Sequence, residues 1–191
     1  PRGNAMLIGQ GGSGKQSLTK LGCIVSGAEF SQIQLTQTFG LVEFRDAIKI
    51  MMENAGVKRI PVAFTLTDSQ IVTERFLEDI SSLLNSGEIP NLWASDEWER
   101  IIVSMSPVCK DLGIAESRAN CIKSFVMLVR ENLHIVLCMS PVGDALRRRC
   151  LQFPSLINCC TIDWYTKWPR DGLRTVAQRY YGRMELPEEI H

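Results

Sequence analysis

Apolar and polar positions follow two alternating patterns along this chain. Short runs that are apolar at nearly every position are typical of strands buried on both faces, and they cover residues 4–8, 29–35, 60–67, 134–139 and 156–162. Between these runs, apolar residues recur at helical spacing, which predicts helices over residues 16–25, 41–55, 74–84, 117–132 and 169–181, and one that starts at residue 95. Strands that alternate with helices predict an α/β fold, with a five-stranded parallel sheet and helices on both faces.

Three positions predict where elements begin or end. Gly56 follows the last apolar position of its helix and is expected to end that helix in a left-handed cap. The sequence GEIPN over residues 87–91 predicts a turn. Ser95 precedes Asp96 and Glu97 and is expected to be the N-cap of the next helix.

Bulk composition narrows the classes of function. Hydrophobic residues make up 45% of the 191 residues, as in ordinary globular domains, so disorder is not expected. The 21 Lys and Arg residues equal the 21 Asp and Glu residues, which gives no electrostatic case for nucleic acid or an anionic membrane as partner. No apolar run approaches the roughly 20 residues of a membrane span. Seven cysteines without a C-x-x-C pair favour buried reduced thiols over a zinc site.

The first apolar run continues into the sequence GQGGSGKQS over residues 9–17. The spacing of Gly9, Gly14 and Lys15 fits G-x-x-x-x-G-K, in which backbone N–H groups surround phosphate oxygens and the lysine lies near the β and γ phosphates. A strand before this loop and a helix after it form the expected context. We therefore predict nucleotide binding, rather than a glycine-rich turn without a ligand, by Gly9, Gly11, Gly12, Ser13, Gly14, Lys15, Gln16 and Ser17.

One position in this loop departs from the usual pattern. The residue after the lysine is ordinarily Ser or Thr, whose hydroxyl holds Mg²⁺, and here it is Gln16. A hydroxyl follows one place later, at Ser17, which is the candidate for an indirect contact with the metal.

Polar residues also follow the third strand, at the sheet edge where ligands bind. Asp68 is placed to hold Mg²⁺ through water, although an aspartate there is also common as a turn or N-cap residue. ATPases usually place a glutamate next, to polarise the attacking water, and here Ser69 and Gln70 follow instead. Glu74 is the nearest carboxylate and is expected to point away from the site.

The fourth strand is followed by a serine and then by a run of arginines. Ser140 occupies the position of a residue that senses the γ-phosphate in many such ATPases, and a simple Ser-Pro turn fits equally well. Arg147, Arg148 and Arg149 fit a solvated basic face, or supply one arginine that reaches a phosphate on a neighbouring subunit.

Taken together, four segments resemble one family. The segments GQGGSGKQSL, FTLTDSQI, SGEIPNLW and LCMSPVGDALRRRCLQFPSLINCCTIDWY are similar to the fourth AAA+ module of the dynein heavy chain, over nearly the whole chain. The resemblance implies an AAA+ large α/β subdomain over residues 1–182 with strand order 5-1-4-3-2. It also implies that residues 183–191 begin the connection to a helical lid. The parent would be a ring of such modules in one polypeptide that walks on microtubules by ATP hydrolysis.

The resemblance also implies roles for the site residues. Residues 9–17 would be the Walker A loop, Asp68 would end Walker B, and Ser140 would stand at the sensor-1 position. Arg147 or Arg149 would be the arginine finger for the preceding module's site.

The same resemblance implies a cofactor, a branch of the family and partners. Ser69 in place of glutamate resembles the axonemal branch, and implies that ATP or ADP binds with Mg²⁺ while hydrolysis at this site is weak or absent. The implied partners are neighbouring modules of the heavy chain, dynein intermediate and light chains, and the microtubule through a stalk, in the axoneme of a cilium or flagellum.

Two other functions remain open from the residues alone. In a standalone P-loop kinase the arginines after Leu146 would be lid arginines, although Gln16 and the lack of an acceptor site argue against this. A structural subunit with a vestigial loop is favoured by Gln16 and Ser69 and opposed by the intact Lys15. A GTPase is disfavoured because the chain has no N-K-x-D motif.

Overall fold

The computed structural model describes residues 3–182, whose strands form one parallel sheet. The strands are β1 Ala5–Gly9, β2 Glu29–Gln32, β3 Val62–Thr67, β4 Leu133–Met139 and β5 Thr161–Tyr165. They lie in the order β2-β3-β4-β1-β5, which is the expected order 5-1-4-3-2 read from the other edge. The predicted α/β architecture is therefore confirmed. Residues 183–191, the expected start of a connection to a lid, lie outside the described residues.

Helices connect the strands, as the apolar spacing predicts. They are α1 Lys15–Ser26, α2 Leu41–Gly56, α3 Arg75–Ser86, α4 Ser95–Asp111, α5 Arg118–Asn132, α6 Ala145–Gln152, α7 Ser155–Asn158 and α8 Arg170–Tyr181. A single 3₁₀ turn, Asp68–Gln70, follows β3. Within the described part of the chain, no helix is long and apolar enough to cross a membrane.

The main hydrophobic core joins alternate strand residues to the inner faces of α2, α3, α4 and α5. At its centre the rings of Phe44 and Phe76 are stacked with centroids 4.1 Å apart. The intervening strand residues Leu7, Val136 and Cys138 form a smaller cluster, because successive side chains of a strand point to opposite faces. This packing fixes the sheet whose carboxyl edge carries the candidate site.

The predicted last strand over residues 156–162 is wrong in its first part. Pro154 is the N-cap of a helical turn, α7, in which Leu156 is buried in the main core, and β5 starts only at Thr161. The hydroxyls of Ser155 and Ser81 lie 2.6 Å apart and attach this turn to α3. A short apolar run suits either a buried strand or a buried helical turn, so its pattern alone does not decide between them.

The predicted left-handed cap at Gly56 is also wrong. The next residue, Val57, is right-handed, and the left-handed residue in this connection is Arg59, with φ of 56°. A Cβ on Gly56 would lie 2.6 Å from two ring carbons of Phe125. Glycine stands here because α2 and α5 pack closely, not because the chain turns.

The predicted N-cap at Ser95 is displaced by one residue. Ala94 is the N-cap, and the Glu97 carboxylate accepts a hydrogen bond of 2.8 Å from its backbone N–H. The predicted turn over residues 87–91 is present, with Asn91 left-handed at φ of 55°.

The cysteines are free thiols. Cys23, Cys109, Cys121 and Cys138 are buried, and Cys150, Cys159 and Cys160 are half-buried. Among residues 3–182, no group of three or more His, Cys, Asp and Glu side chains is arranged to hold a metal ion.

Candidate functional site

The glycine loop lies between the end of β1 and the start of α1. Gly12 and Gly14 have φ of 77° and 90°, a region that favours glycine. A Cβ on Gly9 would lie 2.6 Å from the Cβ of Tyr165 on the neighbouring strand. Gly9, Gly12 and Gly14 are therefore favoured by the local geometry, and the loop leaves an open cradle above the sheet.

The first turn of α1 leaves backbone donors free for a ligand. Its first backbone hydrogen bond runs from the N–H of Leu18 to the carbonyl of Gly14, at 2.9 Å. The N–H groups of Lys15, Gln16 and Ser17 therefore precede the intrahelical ladder, and Gly14 supplies no side-chain cap. Unpaired N–H groups and the positive end of the helix dipole suit an anionic oxygen.

The Lys15 ammonium group lies over the same cradle. Its Nζ donates to the carbonyls of Gly9 at 2.6 Å and Gln10 at 2.9 Å, and to the hydroxyl of Ser13 at 3.2 Å. These contacts hold the charge at the mouth of the loop, where a phosphate would lie.

Asp68 and Ser140 meet across the ends of β3 and β4. The backbone N–H of Ser140 donates to Oδ2 of Asp68. The Ser140 hydroxyl accepts a hydrogen bond of 3.3 Å from the N–H of Val142, within the Ser-Pro turn. The structure thus places the two predicted residues in direct contact. The hydroxyl of Ser140 takes part in the hydrogen bonding of its own turn.

Arg149 also enters this chain's own site. Its Nη1 donates to Oδ1 of Asp68 at 2.7 Å, and its Nε donates to Oε1 of Glu74 at 3.3 Å. The expectation that Glu74 points away is therefore wrong. Arg147 and Arg148 are exposed on α6.

The two residues after Asp68 differ in their surroundings. Ser69 is exposed, and its hydroxyl lies 3.0 Å from that of Thr67. Gln70 is buried and joins the ends of two strands: its amide donates to the Ile33 carbonyl at 2.6 Å and accepts from the Thr67 N–H at 2.9 Å. Gln70 is thus structural, and Ser69 is the residue with access to the cleft.

A cleft of about 450 Å³ joins these groups. It is lined by Gly9, Gly11, Gly12, Ser13, Gly14, Lys15, Gln16, Ser17, Thr67, Asp68, Ser69, Cys138, Met139 and Ser140. The predicted loop, Asp68 and Ser140 therefore share one site. A carboxylate and several hydroxyls are the hard oxygen ligands that suit Mg²⁺, and the glycine cradle leaves room for phosphates beside them, so these residues fit a Mg²⁺-nucleotide.

Cys138, Tyr165 and Trp168 are among the residues at this site that the sequence did not predict. Burial raises the pKa of the Cys138 thiol to about 11, so this lining residue is neutral near pH 7. A Cβ on Gly14 would lie 3.3 Å from the Trp168 ring, which places the ring beside the loop. Tyr165 lies against the loop at its other end, next to Gly9. Trp168 and Tyr165 follow or end the last strand, and this position at the carboxyl edge is the signal that would have identified them.

Comparison with known proteins identifies the kind of chain to which this site belongs. A family model described as "P-loop containing dynein motor region D4" matches residues 1–191. Human dynein axonemal heavy chain 6 is 46% identical over 189 residues, and rat dynein axonemal heavy chain 1 is 45% identical over 186 residues. The dynein-1-beta heavy chain of the flagellar inner arm I1 complex of Chlamydomonas reinhardtii is 46% identical over 187 residues. These matches cover 97% or 98% of this chain and 4% of each relative, so the chain spans a small part of the relatives' length.

Proposed function

The chain belongs to the P-loop containing dynein motor region D4 family, and from this membership we propose that it is a nucleotide-binding regulatory module of an axonemal dynein. It binds ATP or ADP with Mg²⁺ in the cleft above the sheet, and turnover at this site is weak or absent. The observation that carries this proposal is the meeting of the glycine loop, Lys15 and Asp68 in one cleft.

Each group has a role in binding. The N–H groups at the start of α1 receive phosphate oxygens, and Lys15 exchanges its contacts with loop carbonyls for the phosphates. Asp68 and Ser17, which both line the cleft, are the residues that would hold Mg²⁺ indirectly. The metal, when bound, neutralises charge on the β and γ phosphates.

Weak turnover is supported by the lack of a free carboxylate after Asp68. Ser69 stands at that position, and its hydroxyl is a much poorer proton acceptor than a carboxylate would be. The nearby carboxylate of Glu74 is engaged by Arg149. An attacking water would therefore lack a base at this position.

Arg147 and Arg149 remain the candidates for an arginine that serves a neighbouring module. Arg147 is exposed on α6 and free to reach outward, whereas Arg149 contacts Asp68 of its own site. We therefore favour Arg147 for the role in trans. We retain Ser140 for sensing the γ-phosphate, because its hydroxyl accepts from the N–H of Val142 and can still donate.

The activity and partners of the whole protein extend this proposal. The relatives' names place them in axonemes and in a flagellar inner arm complex. By analogy, this module would work beside neighbouring AAA+ modules, on microtubules, with intermediate and light chains, in a cilium or flagellum. Its bound nucleotide would hold the geometry of the ring rather than drive the main power step.

The proposal is tested by Lys15→Ala in the full-length heavy chain. We expect the variant to lose one equivalent of bound nucleotide, measured by calorimetry, because the loop loses its cation. Lys20→Ala is the matched control, since Lys20 is exposed on the same helix and does not line the cleft. Undiminished binding in Lys15→Ala would instead support a structural module with a vestigial loop.

A further inference from the structure

The Arg149 guanidinium group lies between two carboxylates on different elements. It is 2.7 Å from Asp68 at the end of β3 and 3.3 Å from Glu74 at the start of α3, and its side chain is only 11% exposed. The other oxygen of Asp68 accepts from the backbone N–H of Ser140. Both carboxylate oxygens of the candidate metal-binding residue are therefore already engaged.

Glu74 has an acceptor that is not used. Its Oε2 is buried and has no hydrogen-bond partner among the described residues. A buried acceptor without a donor is unfavourable, because it has lost its hydrogen bond to water without gaining another. A guanidinium group has five donors in a planar fork that fits both oxygens of one carboxylate.

The same protein shows the arrangement that this fork prefers. Arg45 on α2 binds Asp79 on α3 through two parallel bonds, Nε to Oδ2 at 2.7 Å and Nη2 to Oδ1 at 2.9 Å. Arg149 could make the same pair of bonds to Glu74 if it released Asp68, and Oε2 would then gain its donor. Arg149 thus has two available arrangements, one shared between two carboxylates and one on Glu74 alone.

We propose that Arg149 competes with Mg²⁺ for Asp68, and that Glu74 receives Arg149 when Mg²⁺ and nucleotide bind. A guanidinium and a divalent cation at one carboxylate repel each other, and the low exposure of Arg149 limits screening by solvent. Arg149 and Glu74 are therefore positioning residues that set how strongly nucleotide binding depends on Mg²⁺. The inference rests on the proposed function of this cleft and deepens it.

The experiment measures ADP affinity in the full-length heavy chain, with Mg²⁺ and with EDTA. Binding to this site is obtained by subtracting the binding measured in the same protein with the additional substitution Lys15→Ala. The readout is the ADP affinity with Mg²⁺ divided by the ADP affinity with EDTA. A purely structural role of Arg149 would leave this ratio unchanged. Arg149→Gln should raise the ratio roughly tenfold, because Asp68 loses its competing cation. Arg148→Gln is the matched control on the same helix, and its ratio should equal that of the parent protein.

Glu74→Gln gives an independent test with the opposite sign. Without the charge of Glu74, Arg149 stays on Asp68, so the ratio should fall by several-fold. The double variant Glu74→Gln with Arg149→Gln should match Arg149→Gln alone, because the effect of Glu74 acts through Arg149.

Four results would overturn the inference, and the last of them would also overturn the proposed function. One is an equal loss of affinity with Mg²⁺ and with EDTA in Arg149→Gln, which would place Arg149 on the nucleotide. Another is a Glu74→Gln effect that persists without Arg149. The third is an unchanged ratio although Lys15→Ala removes one equivalent of nucleotide, which refutes this inference and leaves the proposed function standing. If Lys15→Ala removes no nucleotide, the proposed function fails and this inference fails with it.

Discussion

At Gly56 a missing side chain sets how closely two helices pack. We expect Gly56→Ala to lower the free energy of unfolding by about 1–3 kcal/mol, because the added methyl would lie 2.6 Å from the Phe125 ring in a filled core. Urea unfolding at fixed pH measures the change.

Gly22→Ala is the control for Gly56→Ala. Gly22 also lies inside a helix, α1, and an added Cβ would have no atom within 4 Å apart from its chain neighbours and the backbone of its own helix. Alanine there should stabilise the chain by about 0.5–1 kcal/mol through its helix propensity. If both variants shift stability in the same direction, close packing at Gly56 is not the cause.

The sequence predicted some site residues and missed others for one physical reason. The loop residues and Asp68 were predictable because they follow strands directly, and short spacings fix their positions. The contact of Arg149 with Glu74 spans 75 residues, so it depends on how α3 and α6 are placed rather than on any local pattern. The same dependence on distant packing explains why Glu74 was expected to point away.

A serine lies at the start of each of the helices α4 and α5, and the sequence alone does not show which of the two caps its helix. Ser117 is an N-cap whose hydroxyl accepts from the N–H of Asn120 at 3.2 Å, whereas Ser95 lies inside the first turn of α4. We expect Ser117→Ala to cost about 0.5–2 kcal/mol of unfolding free energy, and Ser95→Ala to change it little. Thermal or urea unfolding of both variants checks this. Equal losses would show that Ser95 also acts as a cap.

Elements were predicted well where their periodicity is long. The helices α2 and α5 extend over four turns or so, and their apolar faces leave little choice of structure. The run over residues 156–162 is short, and its apolar pattern does not separate the turn of α7 from the strand β5. Tertiary contacts decide such cases: Asn4 of the chain start donates to the Cys159 carbonyl, and its side-chain oxygen accepts from the N–H of Ile135.

At the scale of the whole molecule, the order of the strands was accessible only through the family resemblance. Apolar patterns predict that strands exist and are parallel, but they do not predict which strands are neighbours. Several apolar residues on α1 remain exposed in this chain, namely Leu18, Leu21, Ile24 and Val25. The chain covers only 4% of the length of human dynein axonemal heavy chain 6.

Turnover is therefore best tested in the full-length heavy chain, with Ser69→Glu. Ser69 is exposed beside Asp68 and lines the cleft, so a glutamate there can extend a carboxylate toward an attacking water. A positioned base typically contributes about 10²–10⁴-fold, and we expect ATP turnover at this site to rise at least tenfold. The rate is measured as the difference between Ser69→Glu with Lys15 intact and with Lys15→Ala, so that other modules cancel.

Ser69→Gln separates the charge from the size of the new side chain. It has the length of glutamate but no basic carboxylate, so the turnover at this site should stay at the parent level. The rise in Ser69→Glu should also need neighbouring modules, because an arginine supplied in trans stabilises the charge that develops during phosphoryl transfer. A full ring in which Ser69→Glu leaves turnover unchanged would show that the missing glutamate does not limit hydrolysis here. The ion pair between Arg149 and Asp68 would then be the next candidate for what limits hydrolysis.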